Sequence, residues 1–188
     1  MKSPYCFIVN PLNNTRYSNT TKVGDKELVL NTSEEDFRFS ERQAVVQETP
    51  IGYNGPIKAG DKLIVHHNVF KFYNDMQGRR QSGKSFLKDN TFLLDEEQFF
   101  AYKKEDGDWT AVDRYCFVSP LPKEDTYIYK PLTHEPLMGI MEIPSKSLLS
   151  EGVTKGKKVT FKPGSEYEFI VDGKLMYRQF DHKIVATL

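Results

Sequence analysis

The 188-residue chain has only two cysteines, Cys6 and Cys116, and one tryptophan, Trp109. Two thiols cannot make a disulfide scaffold, and a reducing compartment would keep both free. Net charge is lacking too: 26 Lys and Arg balance 26 Asp and Glu. Without a net basic field, no general attraction for nucleic acid or an anionic membrane is expected. No run approaches the roughly 18 apolar residues of a membrane span, and the opening MKSPYCFIVNPL is too short an apolar stretch for a secretory signal. A cytoplasmic location is therefore expected. Long helices are also missing, because no window carries an extended apolar stripe of 3.6-residue period. What is present is 13% aromatic and 38% hydrophobic residues, enough for one medium core or two small ones.

The chain repeats itself. YCFIVNPL at 5–12 returns as YCFVSPL at 115–121, one residue shorter. AVVQETP (44–50) then matches MGIMEIP (138–144), IKAGDKLIV (57–65) matches VTKGKKVTF (153–161) with Gly60 over Gly156, and DEEQFFAY (95–102) matches FDHKIVAT (180–187). Four words in one order argue for a duplicated domain, with copies at 1–113 and 114–188. Cys6 and Cys116 fall on equivalent positions in this alignment, as small buried hydrophobes. The units read as β structure: short segments rich in Val, Ile, Phe and Tyr, stopped by Gly, Pro, Asn or Asp. Asp172-Gly173 between apolar segments predicts a two-residue hairpin turn. Ser33 to Asp36 and Asp95 to Gln98 are long enough only for a helical turn.

GRRQSGKS at 78–85 fits the pattern G-x-x-x-x-G-K-[ST], with Gly78, Gly83, Lys84 and Ser85 at its fixed positions. In a nucleotide site such glycines cradle phosphates, the lysine reaches the outer phosphates and the serine ligates magnesium. That loop needs a strand before it and a helix after it, whereas FLKDNTFLLD after Ser85 reads as a strand. The segment 75–86 is expected to be an insertion at the tip of a β-hairpin, a solvated basic loop. Neither a cofactor nor a metal is expected.

Between the first two words lies a polar stretch, 13–42, too long for an ordinary connection. Within it sits one apolar island, Leu28-Val29-Leu30, which reads either as a recognition segment or as an edge strand packed on the sheet. The second copy has a shorter connection, 122–137, whose comparable island is Tyr127-Ile128-Tyr129.

In this order the words resemble the GroES-type co-chaperonins, the chaperonin-10 family: FIVNPL, TKVGDKELVLNT, ERQAVVQETP, IKAGDKLIV and a closing D-x-x-x-F-F-A, with the second family-like half in 153–188. The resemblance spans nearly the whole chain as two tandem copies, where the family usually has one. It implies an all-β fold of two small GroES-like barrels and a mobile loop at 13–42. It also implies a homo-oligomeric ring that caps a GroEL-type chaperonin and assists ATP-dependent folding without catalysis. Leu28, Val29 and Leu30 would then dock on the chaperonin. Tandem, divergent versions suit a phage genome, which would place the protein in host cytoplasm. A tandem β-barrel structural or assembly protein, for example viral, with no chaperonin partner is the alternative, and a P-loop nucleotide binder is the minor one.

Remaining candidates read more plainly. His66-His67 would face opposite sides of a strand and so could not chelate together. Glu34, Glu35 and Asp36 read as a solvated acidic loop, and Trp109 as an aromatic packed at the junction between copies.

Overall fold

A computed structural model describes residues 2–17, 20–23, 26–29, 39–122 and 134–188, with the backbone alone at 20–23 and 26–29. The chain divides into two compact units, Met1–Asp108 and Trp109–Leu188. The first carries β1 (Phe7–Pro11), β2 (Thr20–Val23), β3 (Lys26–Val29), β4 (Gln43–Glu48), β5 (Lys62–Val65), β6 (Phe72–Asn74), β7 (Arg80–Ser82), β8 (Phe86–Lys88), β9 (Thr91–Leu94) and β10 (Phe99–Lys103). The second carries β11 (Trp109–Ala111), β12 (Tyr115–Pro122), β13 (His134–Ile143), the one-turn helix α1 (Lys146–Ser150), β14 (Lys158–Phe161), β15 (Tyr167–Val171), β16 (Lys174–Phe180) and β17 (Ile184–Thr187). The fold is all-β, and α1 is the only α-helix among the described residues. The acidic stretch after Asp95 makes one 3₁₀ turn, Glu96–Gln98, in which the Gln98 side-chain carbonyl accepts from the Asp95 N–H at 3.0 Å. Ser33 to Asp36 lie outside the described residues.

The two units share one strand order. Hydrogen-bonded neighbours run β10-β5-β4-β1-β9-β8 in the first and β17-β14-β13-β12-β16-β15 in the second. Individual bonds repeat as well. Gly60 N–H donates to Val46 C=O at 2.8 Å and Gly156 N–H to Met141 C=O at 2.7 Å; Val46 and Met141 in turn donate to Asp61 and Lys157 C=O, both at 2.9 Å. The two glycines sit at φ +93° and +89°, a left-handed turn that a side chain would strain. Their recurrence in the two matching words therefore has a backbone cause.

The ladders also correct the alignment of those words. Val9 pairs with Val46 and Phe92, while Val118 pairs with Met141 and Tyr177. Val9 thus answers to Val118, Phe7 rather than Cys6 answers to Cys116, and Ala44 answers to Gly139 rather than Met138. Residue identity suggested a register one off, but backbone hydrogen bonds and the inward face set it.

Neither sheet returns on itself. Among the described residues β8 and β15 have a strand neighbour on one side only, so the closed barrels implied by the resemblance are not seen.

Burial alternates with period 2 on some strands, whereas β1, β5, β10 and β12 bury consecutive residues and so both faces. β9 (TFLL) buries Phe92 and Leu94, and β14 (KVTF) buries Val159 and Phe161. In the first unit Phe7, Val9, Leu63, Ile64, Phe70, Phe92 and Leu94 are all fully buried, and Phe70 meets Phe92 edge-to-face at 4.8 Å. The second unit's core joins Cys116, Val118, Met141, Leu148, Val153, Val159 and Phe161. Asp172 and Gly173 take φ +49° and +77° in the β15–β16 turn, as the Asp-Gly pair predicts.

Candidate functional site

The long polar stretch is rooted on a built neck. Tyr17 and Ser40 form an isolated antiparallel bridge, and Glu41 N–H donates to Arg16 C=O at 2.9 Å. The Arg16 side chain donates from Nε to Phe70 C=O at 2.7 Å and from Nη1 to the Ser82 hydroxyl at 3.0 Å. Its guanidinium lies 3.5 Å from the centre of the Phe72 ring, and that of Arg80 lies 3.6 Å from the same ring. Tyr17 stacks on Phe72 at 5.9 Å, and its hydroxyl accepts from Phe72 N–H at 2.7 Å. Just before β4, Glu41 is buried, and one carboxylate oxygen accepts from Arg42 and Gln43 N–H, both at 2.9 Å. Burial pushes its carboxyl above the usual range, although those two bonds oppose the shift.

Beyond this neck, β2 and β3 form a hairpin that pairs Thr20 with Val29 and Thr21 with Leu28. Leu28 and Val29 therefore lie on a strand, while Leu30 lies outside the described residues, as do Tyr127, Ile128 and Tyr129. The neck residues escaped sequence reasoning. Arg16, Phe72 and Arg80 are far apart in the chain, and no local pattern links them.

The segment resembling a phosphate loop folds otherwise. β6 and β7 pair as a ribbon of their own, Phe72 with Ser82 and Asn74 with Arg80. The ribbon precedes the β8–β9 hairpin and is not an insertion at its tip, because Phe86 pairs with Phe92 where Glu168 pairs with Tyr177 in the second unit. The Asp75 carboxylate closes the ribbon's turn, accepting from Gln77 N–H at 2.9 Å, Arg79 N–H at 2.8 Å and Arg79 Nε at 3.0 Å. These bonds, the Arg79 backbone bond foremost, hold Asp75 below its usual range. Gly78 supplies the turn at φ +74°, and a side chain at Gly83 would come within 3.3 Å of Asn68 C=O. Lys84 is exposed, whereas Ser85 is buried, with its hydroxyl 3.3 Å from the Gln98 amide that donates to it. A strand begins at Phe86, so no helix N-terminus faces these residues.

His66 and His67 do not face opposite sides. β5 ends at Val65 and the chain turns, Val69 N–H donating to His66 C=O at 3.0 Å. That turn brings the two rings to 4.2 Å. His67 is lowered to about 4, first by burial, then by His66, Arg42 and Lys71. Among the described residues, no group of three His, Cys, Asp or Glu could hold a metal ion.

The cysteines differ in setting. Cys6 is half-buried, and its Sγ donates to Asp95 Oδ1 at 3.1 Å. Its thiol is raised by burial and by Asp95. Cys116 is fully buried and pushed up to about 12, chiefly by burial. Both remain thiols near neutrality, so neither is an activated nucleophile. Trp109 donates from Nε1 to Asp172 Oδ2 at 3.0 Å, tying β11 to the β15–β16 turn within the second unit.

No helix among the described residues is long and apolar enough to cross a membrane. No family model matches the chain, and no curated protein matches its sequence.

Proposed function

We propose that the protein is a noncatalytic co-chaperonin subunit, each half a GroES-like unit, that oligomerises as a ring and caps a GroEL-type chaperonin through Leu28, Val29 and Leu30. The observation that carries this reading is a hairpin that places Leu28 and Val29 on a strand, in the same connection as the Tyr17–Ser40 bridge and in the first of two units with the same strand order. Three buried aliphatic side chains contribute roughly 1.5–3 kcal/mol each, offset by ordering costs of about 1–2 kcal/mol per residue fixed, so one contact is weak. Several such contacts on one ring act intramolecularly after the first, which gives avidity with easy release of each. A chaperonin whose nucleotide state alters its docking surface then controls the lid, and the lid needs no nucleotide site of its own.

Native mass spectrometry of the chain, alone and with a double-ring chaperonin plus ATP or ADP, tests this. A closed ring that joins the chaperonin only with nucleotide is expected, and the Leu28→Ser, Val29→Ser, Leu30→Ser variant should lose that association while keeping the ring. Retained binding by the triple variant counts against the docking assignment. The open sheets favour a second reading, a tandem β structural or assembly protein such as occurs in virus particles; a discrete oligomer indifferent to chaperonin would support it.

A further inference from the structure

Asn54-Gly55 is the only Asn-Gly pair in the sequence. It lies in the connection from β4 to β5, where Asn54, Gly55 and Pro56 are all exposed. The loop is fastened on both sides of the pair. Tyr53 N–H donates to Pro50 C=O at 3.1 Å, Lys58 N–H donates to Asp61 Oδ2 at 2.8 Å, and Ile57 N–H donates to the Tyr53 hydroxyl. The pair itself is unbonded: among the described residues, no hydrogen bond involves the Asn54 side chain or the Gly55 N–H.

Sterics keep glycine at 55. A Cβ there would lie 2.1 Å from the Tyr53 hydroxyl oxygen and 2.3 Å from the ring carbon that bears it. Tyr53 is itself held, because its ring meets that of the fully buried Phe7 edge-to-face at 4.9 Å. A larger residue, whose side chain would shield its own backbone nitrogen, is therefore disfavoured after Asn54. Elsewhere the surroundings oppose the same reaction. Asn68 is followed by the β-branched Val69, whose N–H donates to His66 C=O at 3.0 Å, and the Asn90 amide donates to Asn14 C=O and Oδ1, both at 2.7 Å. The second unit contains no asparagine at all.

We infer that Asn54 is a self-modification site, at which the folded chain converts the asparagine to aspartate and isoaspartate through a cyclic imide. The Gly55 nitrogen, on losing its proton to solvent, attacks Asn54 Cγ. The N–Cγ bond forms, the Cγ–Nδ2 bond breaks, and Nδ2 takes up a proton and leaves as ammonia. Water then opens the ring at either carbonyl. Breaking the new N–Cγ bond gives aspartate, whereas breaking the original peptide bond gives isoaspartate, with the chain running through the side-chain carbons. Nothing is oxidised or reduced, and water is the only co-reactant. Both products add a negative charge. Isoaspartate also adds a methylene to the backbone between Tyr53 and Gly55, which pulls against the bond from Ile57 to Tyr53. The inference does not rest on the co-chaperonin reading.

The test incubates the full chain for days in mildly alkaline buffer at body temperature, with peptide mapping by mass spectrometry and isoaspartyl methyltransferase labelling at intervals. Conversion at Asn54 ahead of Asn68 and Asn90 is expected, with both isomers present. The Ile57 amide of the isoaspartate form should lose protection from hydrogen exchange. Asn54→Asp, which has the charge without the methylene, should keep that protection, and Asn54→Gln should abolish the isoaspartate signal from this segment. An Asn54 that stays intact in the folded chain, or converts no faster than Asn68, overturns the inference. So does conversion to aspartate without isoaspartate, which would indicate direct hydrolysis of the side chain in place of the cyclic imide.

Discussion

Arg16 holds more of the first unit together than its charge suggests. It satisfies Phe70 C=O and the Ser82 hydroxyl while its flat face covers Phe72. Arg16→Met keeps the length but leaves those acceptors without this donor and removes the cation–π contact, so it should destabilise the first unit by about 2–4 kcal/mol. Denaturant titration measures the loss, and hydrogen exchange should rise locally across 72–82. Arg16→Lys should recover less than half, because a point charge cannot both stack and fork. His67 supplies a pH dependence. Its folded value near 4 lies below the ordinary 6.5, so the folded state keeps it neutral while the unfolded chain takes up a proton. Stability is therefore intact above pH 6.5 and falls as pH drops toward 4. With partial exposure discounted, the loss should be about 1–2 kcal/mol. Comparing denaturation near neutrality with denaturation about two pH units below the ordinary histidine value, in the wild type and in His67→Gln, isolates it, since the variant should lack that part of the fall.

Among the elements, β13 shows why equivalent positions need not accept the same residue. A Cβ at Gly139 would lie 2.3 Å from a Val118 methyl and 2.5 Å from Ser119 C=O. The latter is backbone of the paired strand β12, so Gly139→Ala forces the two strands apart. A cost of about 2–4 kcal/mol and a lowered melting temperature of the second unit are expected. At the matching place in β4, Ala44 sits fully buried, so the first unit has room for that methyl. The reciprocal Ala44→Gly should cost only about 1 kcal/mol, through chain entropy and a small void. An equal cost for the two changes, measured by thermal unfolding, would contradict the register that equates them.

For the whole molecule, the proposed lid depends on number rather than on the strength of one contact. Weak docking by each tripeptide predicts that an isolated peptide spanning 18–39 binds a chaperonin far more weakly than the assembled protein does. A gain of roughly 10²–10⁴ is the scale avidity supplies. Competition between the peptide and the intact protein for the chaperonin measures it, and equal affinities would remove the ring from the mechanism.

Much of the architecture was written in local pattern. Alternating Val, Ile and Phe, the Asp172-Gly173 turn and the recurring Gly60 and Gly156 reflect short-range sterics and backbone geometry, which neighbouring residues set among themselves. The order of the four repeated words carried the duplication for the same reason. Strand register was not legible in that way: Tyr-Cys-Phe matched Tyr-Cys-Phe by letter, yet Phe7 stands where Cys116 does, because ladder bonds to β4 and β13 hold the strands. The pairing of His66 with His67 rested on where β5 ends, the fate of Gly78 on the β6–β7 turn, and that of Gly83, Lys84 and Ser85 on their place between β7 and β8. The neck of Arg16, Phe72 and Arg80 is assembled from residues remote in the chain. Only folding brings these long-range contacts together, because their energies depend on distances that no local pattern encodes.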